Sequence, residues 1–234
     1  MRHTVVEEWS RGASLLHRRA PLAKLLPVAV FLVLLASAHR RLPWLSAGLA
    51  LLLAAGFLCA RLPLVAALLR AAAVLPFTGV FALISWLAGD PARAFELTAK
   101  SYLSALAVLL LVGTTPLPQL LRSLELIRVP RFLLTVIQFL YRYLFVVLDE
   151  AAHMRGAAAA RGGMTFRAAA GALAVLFARS YARAEGIHHA MIARGFDGSF
   201  HPLSTHSFTA RDGYFTAIAV ALPVVARAAA EVLP

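Results

Sequence analysis

Two consecutive stretches decide the architecture of this chain: RFLLTVIQFLYRYLFVVLDEAAHMRGAAAARG at residues 131–162 and FRAAAGALAVLFARSYARAEGIHHAMIARG at residues 166–195. Each stretch predicts one long α-helix. Both helices end in the same tripeptide, Ala160-Arg161-Gly162 in the first and Ala193-Arg194-Gly195 in the second. Strongly apolar sequence precedes the pair, and one more apolar run follows it. We therefore interpret the two arginine-tipped helices as the part of a membrane protein that binds another protein.

The polar residues of the first helix share one narrow stripe. At 100° per residue they fall within about 60° of one another, and they are Arg131, Gln138, Arg142, Asp149 and His153. Such a helix is too polar to be surrounded by lipid and too apolar to be surrounded by water. We expect it to lie along the inner membrane surface or beneath other helices. The alternative is an ordinary further span over residues 132–148, in which Arg142 is a functional charge.

The second helix carries a small residue at every fourth position. The series is Ala170, Ala174, Ala178, Ala182, Gly186 and Ala190. Small side chains at this spacing let two helix backbones approach closely. The first helix has a shorter series of its own, Ala152, Gly156 and Ala160. We therefore expect the two long helices to cross as an X through these positions, although alanine is abundant throughout this chain.

The repeated tripeptide is a good helix stop. Glycine just past a helix end adopts the left-handed conformation that caps the last carbonyls, and arginine in the last turn is favoured by the helix dipole. A structural account does not explain why both helices end in the same way. Arginine also offers a planar fork for a carboxylate. We predict a partner-binding site at each tip, formed by Ala160, Arg161, Gly162, Ala193, Arg194 and Gly195.

The composition of the whole chain indicates a helical membrane protein. Of its 234 residues 61% are hydrophobic, and the mean hydropathy is +0.77. Only helices and closed barrels satisfy their backbone groups in lipid, and the alternation typical of barrel strands is absent. The predicted fold class is an all-α integral membrane protein with about five transmembrane helices and a cytoplasmic region of two long crossed helices. The predicted spans cover residues 25–38, 42–60, 71–89, 101–115 and 213–226.

The distribution of basic residues predicts the orientation of the chain. With a cytoplasmic N-terminus, residues 90–100 face outward with no net charge, and residues 122–212, with 11 arginines against 6 acids, face inward. The alternative is that the first apolar run, which ends in Ala36-Ser37-Ala38, is a cleaved signal peptide; a retained span is favoured. We expect residues 1–116 to form a membrane domain, 117–211 an interfacial helical region, and 212–234 a final span.

The sequence offers little chemistry of its own. It has no phosphate-binding G-x-x-x-x-G-K-[ST] motif, so any ATP is expected on a partner. Adjacent His188 and His189 point about 100° apart on a helix, and Cys59 is the only cysteine. His201 and His206 have no nearby carboxylate cluster. We predict no catalytic residue, no metal site and no cofactor in this chain, and we interpret Asp149 with His153 as a satisfied polar pair.

Other classes of protein fit the sequence less well. The formal net charge is +12, but no soluble basic patch with interleaved aromatic residues indicates nucleic-acid binding. A lipid-processing enzyme needs clustered Asp or His facing a cavity, and the acids here are scattered. A secondary transporter usually has two similar halves with broken helices, and the halves of this chain do not resemble each other.

The paired tripeptides resemble the transmembrane (T) component of energy-coupling factor transporters. The second motif in its context, MIARGFDG at residues 191–198, is most similar to the CbiQ branch of that family, which serves cobalt uptake. The similarity covers the layout of the whole chain, and its specific part is confined to about residues 130–200.

This resemblance implies a non-enzymatic coupling subunit of the bacterial cell membrane. In the family, each Ala-Arg-Gly tip docks into a groove on one of two ATP-binding subunits, which hydrolyse the ATP. The crossed helices then pass motion to a separate, CbiM-like substrate-binding membrane subunit. Carried over to this chain, the resemblance assigns the contacts with the ATPase subunits to Arg161 and Arg194.

Overall fold

The computed structural model describes residues 9, 12, 14, 16–17, 19–37, 42–163, 165–196 and 209–232. All regular structure within these ranges is helical. The helices are α1 (Pro21–Ser37), α2 (Leu42–Ala60), α3 (Leu64–Ala71), α4 (Leu75–Leu87), α5 (Pro91–Thr114), α6 (Leu117–Leu126), α7 (Arg131–Ala160), α8 (Phe166–Ala193) and α9 (Ala210–Val232).

The helix lengths confirm the predicted all-α membrane fold. Within the described ranges four helical segments are long and apolar enough to cross a bilayer, namely Leu64–Leu87, Pro91–Thr114, Phe132–Ala160 and Ala210–Ala229. Two apolar helices are shorter, Pro21–Ser37 and Leu45–Ala60. By length and composition α7 belongs to the first group, so the alternative of a further span stays open for it.

The segment Leu64–Leu87 accommodates its proline without a break. A single 3₁₀ turn over Ala72–Val74 joins α3 to α4. Pro76 then stands at the start of α4, where a missing N–H leaves no carbonyl of the same helix unpaired. Two short helices therefore form one continuous apolar segment of 24 residues.

Helix α5 begins earlier than the predicted span at residue 101. The Asp90 side chain accepts a hydrogen bond of 3.0 Å from the Arg93 backbone N–H, and Pro91 occupies the first turn. This cap and proline are strong helix-start signals. The charged residues expected in an outward loop therefore lie on the helix, where Lys100 Nζ pairs with Glu96 Oε1 at 2.5 Å. The connection between α4 and α5 shortens to residues 88–90.

The chain divides into two compact units. The first comprises residues 2–123 and 206–234, so the final helix α9, predicted as a region of its own, packs with α1 and α2. Its core is formed where α1, α2 and α5 meet, and includes Phe31, Leu35, Leu49, Phe57, Leu106 and Ala107. Leu49 and Ala107 are completely buried. In lipid such contacts stabilise by close van der Waals packing.

The second unit comprises residues 124–205, and α7 and α8 pack against each other within it. The two helices are joined by residues 161–165. Their starts and ends agree with the predicted ones to within a residue, because each boundary has a local signal. Pro130 precedes α7, the Thr165 hydroxyl caps α8 by accepting from Ala168 N–H, and glycines follow both helix ends.

Candidate functional site

The tip of α7 is closed by a Schellman motif. Arg161 occupies the cap position with φ −99° and ψ 16°, and Gly162 follows with φ +98°. The Gly163 N–H donates to the Ala158 carbonyl at 3.0 Å, and the Gly162 N–H donates to the Ala159 carbonyl at 3.3 Å. These are the two bonds that define the motif. The left-handed conformation at Gly162 is strained for residues with a Cβ.

The tip of α8 repeats this geometry. Arg194 has φ −94° and ψ 9°, and Gly195 has φ +74°. The Phe196 N–H donates to the Met191 carbonyl at 3.0 Å, and the Gly195 N–H donates to Ile192 at 2.9 Å. Arg161 and Arg194 therefore hold the same position at the end of their helices, each followed by a left-handed glycine. The structure places the two predicted tips in one shared conformation.

Both arginines are available to a partner. Arg161, Arg194 and their flanking alanines and glycines are all exposed. Within the described part of the chain neither guanidinium has a hydrogen-bond or ion-pair partner. An exposed guanidinium is weakly hydrated and presents its donors in a planar fork, so a carboxylate can bind it at small desolvation cost. Each tip can therefore bind one acidic group.

The left-handed glycines lead to a testable prediction. Gly195→Val places a β-branched residue at φ +74°, and we expect the Schellman motif to open, with a stability loss of about 1–2 kcal/mol and displacement of Arg194. Partner binding through this tip should weaken. The matched control is Gly171→Val, because Gly171 lies within α8, its φ is not left-handed, and a Cβ there meets nothing within 4 Å. Thermal unfolding and partner pull-down of both variants measure the difference. Equal behaviour would contradict the role of this conformation.

The small-residue series of α8 does not lie in the contact with α7. Ala170, Ala174, Ala178, Ala182, Gly186 and Ala190 are all exposed. A Cβ at Gly186, or at Gly156 of α7, meets nothing within 4 Å. The face of α8 that is partly buried carries Leu176, Ser180, Ile187 and Met191 instead. The series therefore faces away from α7 in the described residues. The predicted close crossing of the two long helices through the series stays a prediction.

We expect leucine substitutions in this series to leave the isolated protein intact. Ala178→Leu and Gly186→Leu add side chains to an open face, so the midpoint of thermal unfolding should change little. If a partner helix covers this face, the same variants should lower its binding, because bulky groups keep two backbones apart. Unfolding and co-purification are measured on the same samples. A large loss of stability in the isolated chain would show that the series packs internally.

Most side chains of the polar stripe on α7 are exposed, and the predicted pair within it does not form. Arg142, Asp149 and His153 are exposed, and Gln138 is partly buried. Asp149 and His153 form no hydrogen bond with each other, so the predicted pair is wrong. At four residues apart the two side chains share a face, but water solvates both and little favours their contact.

An ion pair and a groove between α7 and α8 were not predicted. Arg179 Nη1 donates to Glu150 Oε1, which links the two helices. Beside this pair lies an open, mostly apolar groove of about 330 Å³. Both features depend on residues about 30 positions apart.

Two buried charged residues hold the first unit together, and they also escaped prediction. Lys24 on α1 is 5% exposed, and its Nζ donates to the Thr114 carbonyl at 2.8 Å and to Thr115 Oγ1 at 3.1 Å, at the end of α5. Asp212 on α9 is 6% exposed and accepts hydrogen bonds from the Thr209 N–H and hydroxyl at 3.1 and 2.7 Å. A cation at a helix C-terminus and a carboxylate at an N-terminus are both favourable.

Potential metal ligands remain dispersed. No group of three His, Cys, Asp or Glu side chains within the described ranges could hold an ion. The rings of His188 and His189 lie 6.0 Å apart, centroid to centroid. His201 and His206 lie outside the described residues.

Fold and site together define a class: a multi-pass helical membrane protein with a pair of exposed arginine tips on two long helices. Comparison with known families then identifies it further. A family model for the CbiQ cobalt transport protein matches residues 12–206. The chain therefore belongs to the CbiQ family of cobalt transport proteins.

Two of the similar relatives are cobalt transport proteins, and a third is an uncharacterized protein. The chain is 33% identical over 171 residues to the cobalt transport protein CbiQ of Rhodobacter capsulatus, covering 66% of this chain and 69% of that protein. It is 32% identical over 107 residues to CbiQ of Salmonella typhimurium, covering 44% and 48%. It is also 29% identical over 104 residues to the uncharacterized protein MJ1089 of Methanocaldococcus jannaschii, covering 42% and 39%.

Proposed function

We propose that this protein is the transmembrane coupling subunit of an ATP-driven cobalt importer. In this proposal two ATP-binding subunits hydrolyse ATP, a separate membrane subunit captures the substrate, and this chain transmits motion between them. The observation that carries the proposal is the pair of exposed Schellman tips, each with an arginine that has no partner among the described residues. Two equivalent tips are consistent with binding to two ATP-binding subunits, one tip on each.

Helix rigidity is the physical basis for coupling. A helix with an intact backbone ladder transmits displacement at one end to the rest of its length. The 30 residues of α7 and the 28 residues of α8 correspond to about 45 and 42 Å at 1.5 Å per residue. If ATP binding moves the two acidic grooves of the ATPase, the tips follow and the angle between the helices changes. A partner that binds one angle more tightly is then biased by ATP.

The substrate and the orientation are parts of the same proposal. Cobalt is supported by the family, because two named relatives are cobalt transport proteins. The ion is captured by another subunit in this proposal, and none of the roles assigned to this chain needs a metal ligand, a catalytic group or a bound nucleotide. In this proposal both tips face the ATPase in the cytoplasm. The distribution of basic residues supports an N-terminus on the same side of the bacterial inner membrane.

Co-purification and uptake test the proposal together. When the chain is co-expressed with the two ATPase subunits and the substrate-binding subunit, we expect one complex that imports cobalt into vesicles only with ATP. The chain alone should neither transport cobalt nor convert lipid. Cobalt transport by the chain alone would indicate a secondary transporter, and lipid conversion by the chain alone would indicate an intramembrane enzyme; either result contradicts the proposal.

A further inference from the structure

The groove between α7 and α8 has the dimensions of a ligand site. Its volume is about 330 Å³, at the lower end of the range for small-molecule sites, about 300–1,000 Å³. Its floor is apolar and comes from both helices: Phe139, Tyr143, Val146 and Val147 on α7, with Leu176 and Ile187 on α8. A helix with its side chains is about 10–12 Å wide, which matches this small volume less well than a narrower ligand does. An extended hydrocarbon chain fits it.

The α8 wall of the groove is cationic. Arg179 and Arg183 both line it one turn apart, and His188 lines it five residues beyond Arg183. Glu150 neutralises Arg179 through the ion pair that links the two helices. Arg183 is exposed and has no hydrogen-bond or ion-pair partner within the described part of the chain. The groove therefore combines an apolar floor with one uncompensated guanidinium at its edge.

A ligand that matches both features carries a long apolar part and an anionic group. A guanidinium binds a phosphate through parallel N–H···O bonds, and this geometry is better for arginine than for lysine. Helix α7, which supplies one wall of the groove, is long and apolar enough by length and composition to cross a bilayer, so a membrane lipid is an available occupant. The chemistry available there is that of a phospholipid with a negative headgroup.

We propose that this groove binds an anionic phospholipid, with the phosphate against Arg183 and one acyl chain along the floor between α7 and α8. The lipid contacts both long helices at once. A bound lipid therefore stabilises the arrangement of α7 and α8 seen here, to the extent that it binds this arrangement more tightly than other arrangements of the two helices. This binding does not depend on any ATPase or substrate-binding partner, so it is testable on the chain alone.

The headgroup contact is tested with the purified full-length protein in detergent, by native mass spectrometry with added phosphatidylglycerol or phosphatidylcholine. We expect the protein to retain phosphatidylglycerol in preference to phosphatidylcholine. Arg183→Gln should weaken phosphatidylglycerol binding about tenfold, since a charge-assisted contact is lost, and Arg183→Lys should restore part of it. The control is Arg155→Gln, which removes an exposed arginine of α7 that does not line the groove. Equal losses in Arg183→Gln and Arg155→Gln, or no loss in either variant, would overturn the site.

The acyl-chain contact needs its own variant. Ala184→Trp fills the groove from the α8 side and keeps Arg183, so we expect phosphatidylglycerol binding to fall although the cation is intact. Glycerol 3-phosphate, which has the anion without the chain, should not displace the lipid at equal concentration. Circular dichroism checks that each variant keeps its helix content. Unchanged lipid binding in Ala184→Trp would place the lipid elsewhere. Loss of an acidic partner protein with intact lipid binding in Arg183→Gln would make the groove a protein site.

Discussion

We expect the double charge reversal Arg161→Glu with Arg194→Glu to abolish ATP-driven cobalt uptake by the proposed complex and to detach its ATPase subunits. Each tip loses a charge-assisted contact of about 1.5–3 kcal/mol, and the new carboxylate repels the acidic group that the arginine was predicted to bind. We expect binding of the ATPase to fall about a hundredfold or more when both tips are changed. Pull-down of the ATPase subunits and uptake into vesicles measure the two effects separately.

The folded state should survive this double change, because both arginines are exposed and unpaired in the described structure. Surface substitutions of this kind usually change the free energy of unfolding by less than about 0.5 kcal/mol. The control is Arg155→Glu, a reversal of an exposed arginine on α7 that precedes Arg161 by six residues and lies outside both tripeptides. A double variant that still binds the ATPase and transports cobalt would refute the docking proposal. A single reversal should give an intermediate loss, since two tips share the contact.

Asp212→Ala has the largest expected effect on stability. The Asp212 carboxylate accepts from the Thr209 N–H and hydroxyl, which caps α9, and from the Ala20 N–H at 3.5 Å, next to the start of α1. Alanine removes the acceptor of two part-buried hydrogen bonds from Thr209 and of one buried hydrogen bond from Ala20. We expect a loss of about 2–4 kcal/mol in the free energy of unfolding. The Arg19 contact at 3.7 Å adds less, because Arg19 is partly exposed and water screens the pair.

Asp149→Ala is the matched control, since Asp149 is an exposed aspartate on α7. The midpoints of thermal unfolding of both variants in the same detergent give the comparison. Asp212→Asn should be intermediate, because an amide oxygen can still accept but the charge is gone. An Asp212→Ala midpoint equal to that of Asp149→Ala would show that the two helix starts are held by other contacts.

Local signals explain which elements the sequence predicted well. Both long helices were located to within a residue, because Pro130 precedes the first and glycines at positive φ follow both. The start of α5 was missed although Asp90-Pro91 is an equally local signal. The charged residues at 90–100 were interpreted as a loop between two spans. In the structure α5 begins before its apolar segment, and these charged residues lie at its N-terminal end.

Contacts between residues far apart in the chain could not be predicted from the sequence. The spacing of Ala178 and Gly186 indicated a face able to make close contacts, but not which helix would cover it, and the structure leaves that face open. The Glu150–Arg179 pair and the groove beside it join positions about 30 residues apart. Nothing in the local sequence selects these partners among the many charged residues of the chain.

The all-α membrane class and the two arginine-tipped helix ends follow from the sequence by itself, because hydropathy and backbone conformation depend on residues within one or two turns. Tertiary structure alone decided that Lys24 caps α5, that Asp212 reaches the start of α1, and that the α7–α8 groove keeps an uncompensated Arg183. These contacts exist only once the helices pack, when the burial of polar groups makes a specific partner necessary.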